Sequence, residues 1–326
     1  MHTAFMNRFV AAFYLCIFSL LNPAADGGTV TVYPAPKGAP VSTDYSVTVG
    51  SKPLDVYRAP KSMYGTPVLF ASCDIDGRVD VTVAANFVAP EAVQSMSLHP
   101  LSMKIEAARN GNTLTFPADR PRSITVLVNG QHRDRPLHLF LNPPADPPPK
   151  DAIVYGPGVH KLDPKKPIRL SDGQTLHIAG GAWVEGGVIA HAATNIAITG
   201  RGVLFQPATQ RMNIRLVKCS KAFIGRIILT RQTRGWCSLA QDCSDVTVRG
   251  LHVVAPVKPS TDGFNPCNSR NVTIEDCFFR TGDDCIAIKG KTGGPASTKG
   301  AKRAGTRLDI DPRTQPPVEN IMVRRC

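Results

Sequence analysis

Acidic residues are in short supply in this chain. Of 326 residues, 25 are Asp or Glu against 38 Lys or Arg, a net charge of +13. Aromatics make up only 6%, with two Trp. No segment after the first 25 residues is long and apolar enough to cross a bilayer as a helix. None of the cysteine spacings forms a paired CxxC zinc signature. There is no basic helix, zinc finger or aromatic RNA-binding motif, so nucleic acid is not an expected partner. The basic balance still suits an acidic polymer such as an acidic polysaccharide, or is simply solvated surface charge.

What is plentiful is Gly (27) and Pro (28), with 42% apolar residues. That mixture can bury a core, and it suits many short strands and turns better than a helical bundle. Residues 1–25 read as a signal peptide: Arg8 provides a positive flank, residues 9–21 an apolar run, and Pro23-Ala24-Ala25 small residues near a cleavage point. Export is therefore expected, to the extracytoplasmic space or the cell surface, with no membrane association after signal removal. Eight cysteines then remain, and both disulfides and stacked free thiols are open to them.

Residues 29–142 alternate as half-buried strands do, for example Thr29-Val30-Thr31-Val32-Tyr33 and Val79-Asp80-Val81-Thr82-Val83. Asn129-Gly130 marks a tight turn after Ser123-Ile124-Thr125-Val126-Leu127-Val128. A small β-sandwich fits. Residues 143–150 hold five prolines, which cannot pair in a sheet and predict a stiff, extended linker.

From residue 151 the chain repeats. Asn195-Ile196-Ala197-Ile198, Asp245-Val246-Thr247-Val248, Asn271-Val272-Thr273-Ile274 and Asn320-Ile321-Met322-Val323 share one pattern, and Lys221-Ala222-Phe223-Ile224 is a weaker copy. The anchors at 195, 221, 245 and 271 are 26, 24 and 26 residues apart. The 49-residue step from 271 to 320 predicts one coil with a long loop over residues 291–317. Such a period without a helical pattern points to a β-solenoid, and the leucine-rich-repeat frame is missing. Stacked Asn side chains would ladder between coils about 4.8 Å apart. The Gly-rich stretch 180–187 belongs at early coil turns and lacks the ending of a phosphate loop. His177, His191 and His252 lie in or beside strands and are expected to be surface or hydrogen-bonded core residues.

Two acidic clusters interrupt this pattern: Ser260-Thr261-Asp262-Gly263, and Thr281-Gly282-Asp283-Asp284-Cys285-Ile286-Ala287-Ile288-Lys289. Asp262 and Asp283 are 21 residues apart, close to one coil, so their carboxylates should meet on one surface. Inverting glycoside hydrolysis uses two carboxyl groups roughly 6.5–9.5 Å apart with a water between base and sugar. Like charges this close would hold one group protonated as the acid. Gly263 and Gly282 would let a sugar approach the backbone.

Together these motifs resemble glycoside hydrolase family 28, the polygalacturonase and pectinase family, over residues 151–326. The resemblance implies a right-handed parallel β-helix and inversion without a covalent intermediate, metal or other cofactor. It implies Asp283 as general acid, and Asp262 and Asp284 as the groups that hold and activate water. Lys289 either meets a substrate carboxylate or is a solvated turn lysine. The β-domain is similar to that of bacterial members with an added sandwich, and somewhat to dextranase family 49. The chain departs from the family pattern in having Ser260 where Asn is usual, and in lacking the downstream Gly-His-Gly and Arg-x-Lys motifs. Ending at Arg324-Arg325-Cys326 just after a repeat strand begins, it is expected to be a C-terminally shortened, weakly active monomer with an uncapped last coil. The expected substrate is a pectin-like polysaccharide. Two alternatives remain: a calcium-dependent polysaccharide lyase, in which the three Asp bind Ca²⁺, and a non-catalytic carbohydrate-binding β-helix.

Overall fold

In the computed structural model, residues 27–326 are described except 61, 164, 208–211 and 291–316. The signal-peptide expectation and most of the long insertion therefore lie outside the described residues.

Strands dominate, and the described helical turns are two short 3-10 segments, Pro90–Ala92 and Leu101–Met103. The first part is a sandwich of two sheets. One runs Thr29–Val32, Leu69–Asp76, Leu137–Asn142, Arg122–Val128, Met96–His99, with Tyr57–Arg58 on its edge. The other runs Lys52–Leu54, Tyr45–Val49, Val79–Ala85, Thr113–Ala118, Ala108–Asn110. Val79, Val81 and Val83 are fully buried, while Asp80, Thr82 and Ala84 between them are half-buried, so alternation places one face of the strand on the core. Asn129 (φ 51°) and Gly130 (φ 67°) make the turn that their sequence predicts. Residues 143–149 form no strand; Pro143 O accepts from Arg201 Nη2 at 2.7 Å.

The second part is a parallel β-helix of three sheets. The first sheet stacks Ile153–Tyr155, Thr175–Ile178, Thr194–Gly200, Ser220–Gly225, Ser244–Arg249, Arg270–Glu275 and Glu319–Arg324. The second stacks Gly158–Lys161, Ala182–Glu185, Val203–Gln206, Ile228–Arg231, His252–Ala255 and Phe278–Thr281. The third stacks Ile168–Leu170, Val188–His191, Ile214–Val217, Ser238–Gln241 and Phe264–Cys267. In-register pairing builds apolar columns: Leu176, Ile198, Ile224, Val248 and Ile274 lie one above the next, each 0–1% exposed. Each such side chain contributes about 1.5–3 kcal/mol by leaving water. Arg270–Glu275 pairs directly with Glu319–Arg324, so the 49-residue step is one coil carrying an insertion, as predicted.

The repeat anchors Asn195, Lys221, Asp245, Asn271 and Asn320 are all left-handed, φ 52–56°. Asn and Asp tolerate that conformation because their side chains bond locally, which explains their recurrence at this turn. The ladder is visible from Asp245 upward: Asn271 Nδ2 donates to Asp245 Oδ1 at 2.9 Å, and Asn320 Nδ2 to Asn271 Oδ1 at 3.0 Å. The cysteines from 73 to 326 are all free thiols. Cys219 and Cys243 stack one coil apart, with Cys219 N donating to Cys243 Sγ at 3.4 Å.

The sandwich packs on the outer face of the second sheet. Trp183, Val203, Phe205, Ile228 and Val254 join Tyr57, Phe70 and Phe140 in one buried cluster, while Val184, Leu204, Leu229 and Val253 face the solenoid core. These strands are buried on both faces and lose the polar alternation of a half-solvated strand. Arg201 Nε and Asp74 Oδ1 form a buried ion pair at 2.6 Å across the junction. His252, expected to be hydrogen-bonded if buried, instead stacks on Phe140 at 3.9 Å, and its Nδ1 has no protein partner. Burial and the nearby Arg201 and Arg226 charges push its pKa down to about 3, so the ring is neutral. His177 bonds Thr199 Oγ1 at 3.1 Å, and His191 is exposed.

Candidate active site

The corner between the second and third sheets gathers the acids. Asp262 precedes the strand Phe264–Cys267, and Asp283 and Asp284 follow Phe278–Thr281 one coil further on. Backbone bonds lock these turns together: Cys237 N to Asp262 O at 2.8 Å, Gly263 N to Asp284 O at 2.9 Å, and Asp283 N to Thr261 O at 3.2 Å. Gly263 and Gly282 serve this stacking. A Cβ on Gly263 would lie 2.4 Å from Cys285 O, and one on Gly282 would lie 2.4 Å from Lys258 O. The glycines thus admit the neighbouring coil, a requirement the sequence reading did not include.

One carboxylate oxygen from each of Asp262, Asp283 and Asp284 lies within 4.8 Å of the others. The spacing is tighter than the roughly 6.5–9.5 Å of a typical inverting pair, because consecutive coils sit only one strand spacing apart. Asp262 is 3% exposed, whereas Asp283 and Asp284 face solvent. Asp283 accepts from Ser260 N and from Asp284 N, the latter at 3.0 Å. Burial pushes the Asp262 pKa up; the hydrogen bond and charge of Lys289 oppose this, and the charges of Asp283 and Asp284 add to it.

Lys289 is not a free cation aimed at solvent. Its Nζ lies 2.7 Å from Asp262 Oδ2 and 3.8 Å from the centre of the Trp236 ring. Trp236 and the fully buried Arg231 went unnoticed in the sequence. The signals were there in a chain with two Trp and an arginine closing the buried strand Ile228–Arg231, but their meaning depends on a contact across three coils. Among the described residues, the three Asp are the group of His, Cys, Asp or Glu side chains close enough to hold a metal ion. A hard cation would have to share Asp262 with the Lys289 ammonium.

The chain thus contains a parallel β-helix with a trio of aspartates gathered on one corner. Residues 174–301 match the family model for Glycosyl hydrolases family 28. Polygalacturonase QRT2 of Arabidopsis thaliana is 31% identical over 103 residues, 28% of this chain and 23% of that protein. A polygalacturonase of Nicotiana tabacum is 29% identical over 104 residues, 30% of this chain and 26% of its own. The chain spans at most about a quarter of the length of these relatives, 23% and 26%. Among solved structures, Dex49A from Penicillium minioluteum is similar over 90% of this chain and 80% of its own, with 11% identity and a TM-score of 0.46. The family 28 exopolygalacturonase of Yersinia enterocolitica is similar over 91% of this chain and 67% of its own, with 12% identity and a TM-score of 0.44.

Proposed function

We propose that this protein is an exported, polygalacturonase-like glycoside hydrolase that cleaves a pectin-type polysaccharide by inverting acid–base catalysis. The observation that carries acid–base hydrolysis is the convergence of three carboxylates within 4.8 Å on one corner of the solenoid, while inversion rests on the resemblance to family 28 and not on this spacing. Asp283, exposed at the rim, protonates the leaving oxygen. Asp262 and Asp284 hold the water that attacks the opposite face of the sugar. Lys289 keeps the buried Asp262 basic. Export rests on the apolar run at residues 9–21 behind Arg8.

The test is to incubate the 326-residue chain with polygalacturonate and with neutral glycans, counting reducing ends and following the first-formed anomer by proton NMR. Hydrolysis with inversion, lost in Asp283→Asn, supports the reading. Retention, or activity indifferent to Asp283→Asn, overturns the assigned roles. Unsaturated products abolished by a chelator would mark the calcium-dependent lyase instead.

A further inference from the structure

We propose that Lys289 is a positioning residue for the Asp262 carboxyl group, and that Trp236 roofs it from a loop built around Arg231. The proposal deepens the glycosidase reading, yet its main test does not depend on activity.

Three successive coils each supply one part. The first coil ends its second-sheet strand on Arg231, which is 0% exposed. A buried guanidinium needs its donors satisfied. Here Arg231 Nε donates to Thr233 O at 2.5 Å, Nη1 to Trp236 O at 2.6 Å and Nη2 to Arg234 O at 3.2 Å. Three carbonyls of one short loop thus converge on one cation, which fixes the loop's path and with it the origin of the Trp236 side chain. The loop is joined to the next coil by Cys237 N to Asp262 O at 2.8 Å. The third part is Lys289, whose backbone is pinned by Lys289 N to Pro266 O at 2.9 Å and by Asn268 N to Lys289 O at 3.0 Å.

Between these anchors the Lys289 side chain spans from Asp262 Oδ2 to the Trp236 face. An ammonium over an indole face is attracted by the ring and shielded from water. The Lys289 side chain is 28% exposed and that of Asp262 4%, so this pair is screened far less than a surface salt bridge. Its role follows from what surrounds Asp262. Asp283 and Asp284 repel its negative charge, and the Cys237 thiol, which interacts with Asp262, is itself hydrogen-bonded to Arg231. Among the described residues, Lys289 is the cation in direct contact. Without it, a buried carboxyl beside two like charges takes up a proton and ceases to act on water.

The experiment compares Lys289→Met, Lys289→Arg, Trp236→Leu and Trp236→Phe in the 326-residue chain. The Asp262 side-chain carbon, assigned by its loss in Asp262→Asn, is titrated by carbon-13 NMR. Lys289→Met is expected to raise the Asp262 midpoint by about 1–3 pH units, the effect of removing an adjacent opposite charge. Trp236→Leu shifts it in the same direction by less, and Lys289→Arg and Trp236→Phe restore most of the parental value. An unmoved midpoint in folded Lys289→Met overturns the proposal. Should that variant fail to fold, an unmoved midpoint in Trp236→Leu overturns the role of the roof. Where polygalacturonate is hydrolysed, the acidic limb of kcat/KM moves up by the same amount in Lys289→Met, with the plateau recovered at higher pH. A protein that hydrolyses no glycan but shows the midpoint shift keeps this proposal and loses the enzymatic one.

Discussion

Two groups of acids flank the same strand, Phe278–Thr281, and they are treated in opposite ways. Before it lie Glu275 and Asp276. Glu275, 1% exposed, accepts from Arg249 Nε and from Arg324 Nε at 2.5 and 2.6 Å, and Arg325 bridges it to Asp276. After it lie Asp283 and Asp284, which gather with Asp262; among the described residues the one lysine paired in this group is Lys289, on Asp262. Among the described residues, three arginines serve two carboxylates on one side, and one ammonium is paired with one of three carboxylates on the other. A saturated cluster fixes structure. A cluster left with excess like charge stores protonation equilibria that chemistry can use.

The largest way to sharpen this contrast is Asp283→Asn. It should lower kcat by about 10²–10⁴-fold, the usual contribution of a positioned acid or base, while the melting temperature stays close to the parent's. Steady-state assays beside thermal melts check both halves. Glu275→Gln should do the reverse. It should cost about 1.5–3 kcal/mol, the range for hydrogen bonds to a charged group, read from urea unfolding, with kcat retained. A large kcat loss there would break the distinction between the two ends.

Acid titration separates them further. The arginine hydrogen bonds, Arg249 first, hold the Glu275 pKa below its ordinary 4.5, so its stabilisation is full above that value and is lost as pH falls through the depressed one. Burial raises Asp262 above its ordinary 3.8, so its ionisation withdraws stability as pH rises through the raised value. Melting temperature followed from about pH 3 to 6 should lose part of its acid-side fall in Glu275→Gln. In Asp262→Asn it should lose the opposing decline on the higher-pH side. Identical profiles for both variants would remove the electrostatic contrast. The smallest effect is expected at the ladder. Asn271→Gly keeps the left-handed turn and removes only the amide links, a loss of about 1 kcal/mol measurable by the same unfolding experiment.

Much of the solenoid was legible because its repeat is local: a left-handed Asn or Asp followed by alternating apolar residues announces each coil. The meeting of Asp262 with Asp283 was equally legible, since one coil of separation in sequence is one strand spacing in space. The pairing of Lys289 was not, because Asp262 and Trp236 lie 27 and 53 residues away from it and only the corner geometry aligns all three. Nor was the centre of the sandwich, where Leu137–Asn142 runs parallel to Leu69–Asp76. No turn signal encodes a parallel pairing, since its crossover is long. Gly263 and Gly282 were visible as glycines, but the carbonyls that require them belong to other coils.

The junction between sandwich and solenoid has a mechanical consequence. Every strand of the second sheet, from Val159 to Phe278, presents a side chain to the sandwich or to the cluster it shares with it. Tyr57 lies along Trp183 near one end, Phe140 stacks on His252 and meets Phe278 at 5.2 Å near the other, and Arg280 Nη2 donates to His132 O at 2.8 Å. A free stack of coils can flex by opening its spacing on one side. Here one wall is splinted along its length by a rigid body that spans several coils at once. The corner bearing the acids borders that wall, so its pitch is held near the strand spacing of about 4.8 Å. If the proposed glycan is laid along it, that polymer meets a stiff ruler and must bring its own bonds into step with the graduations.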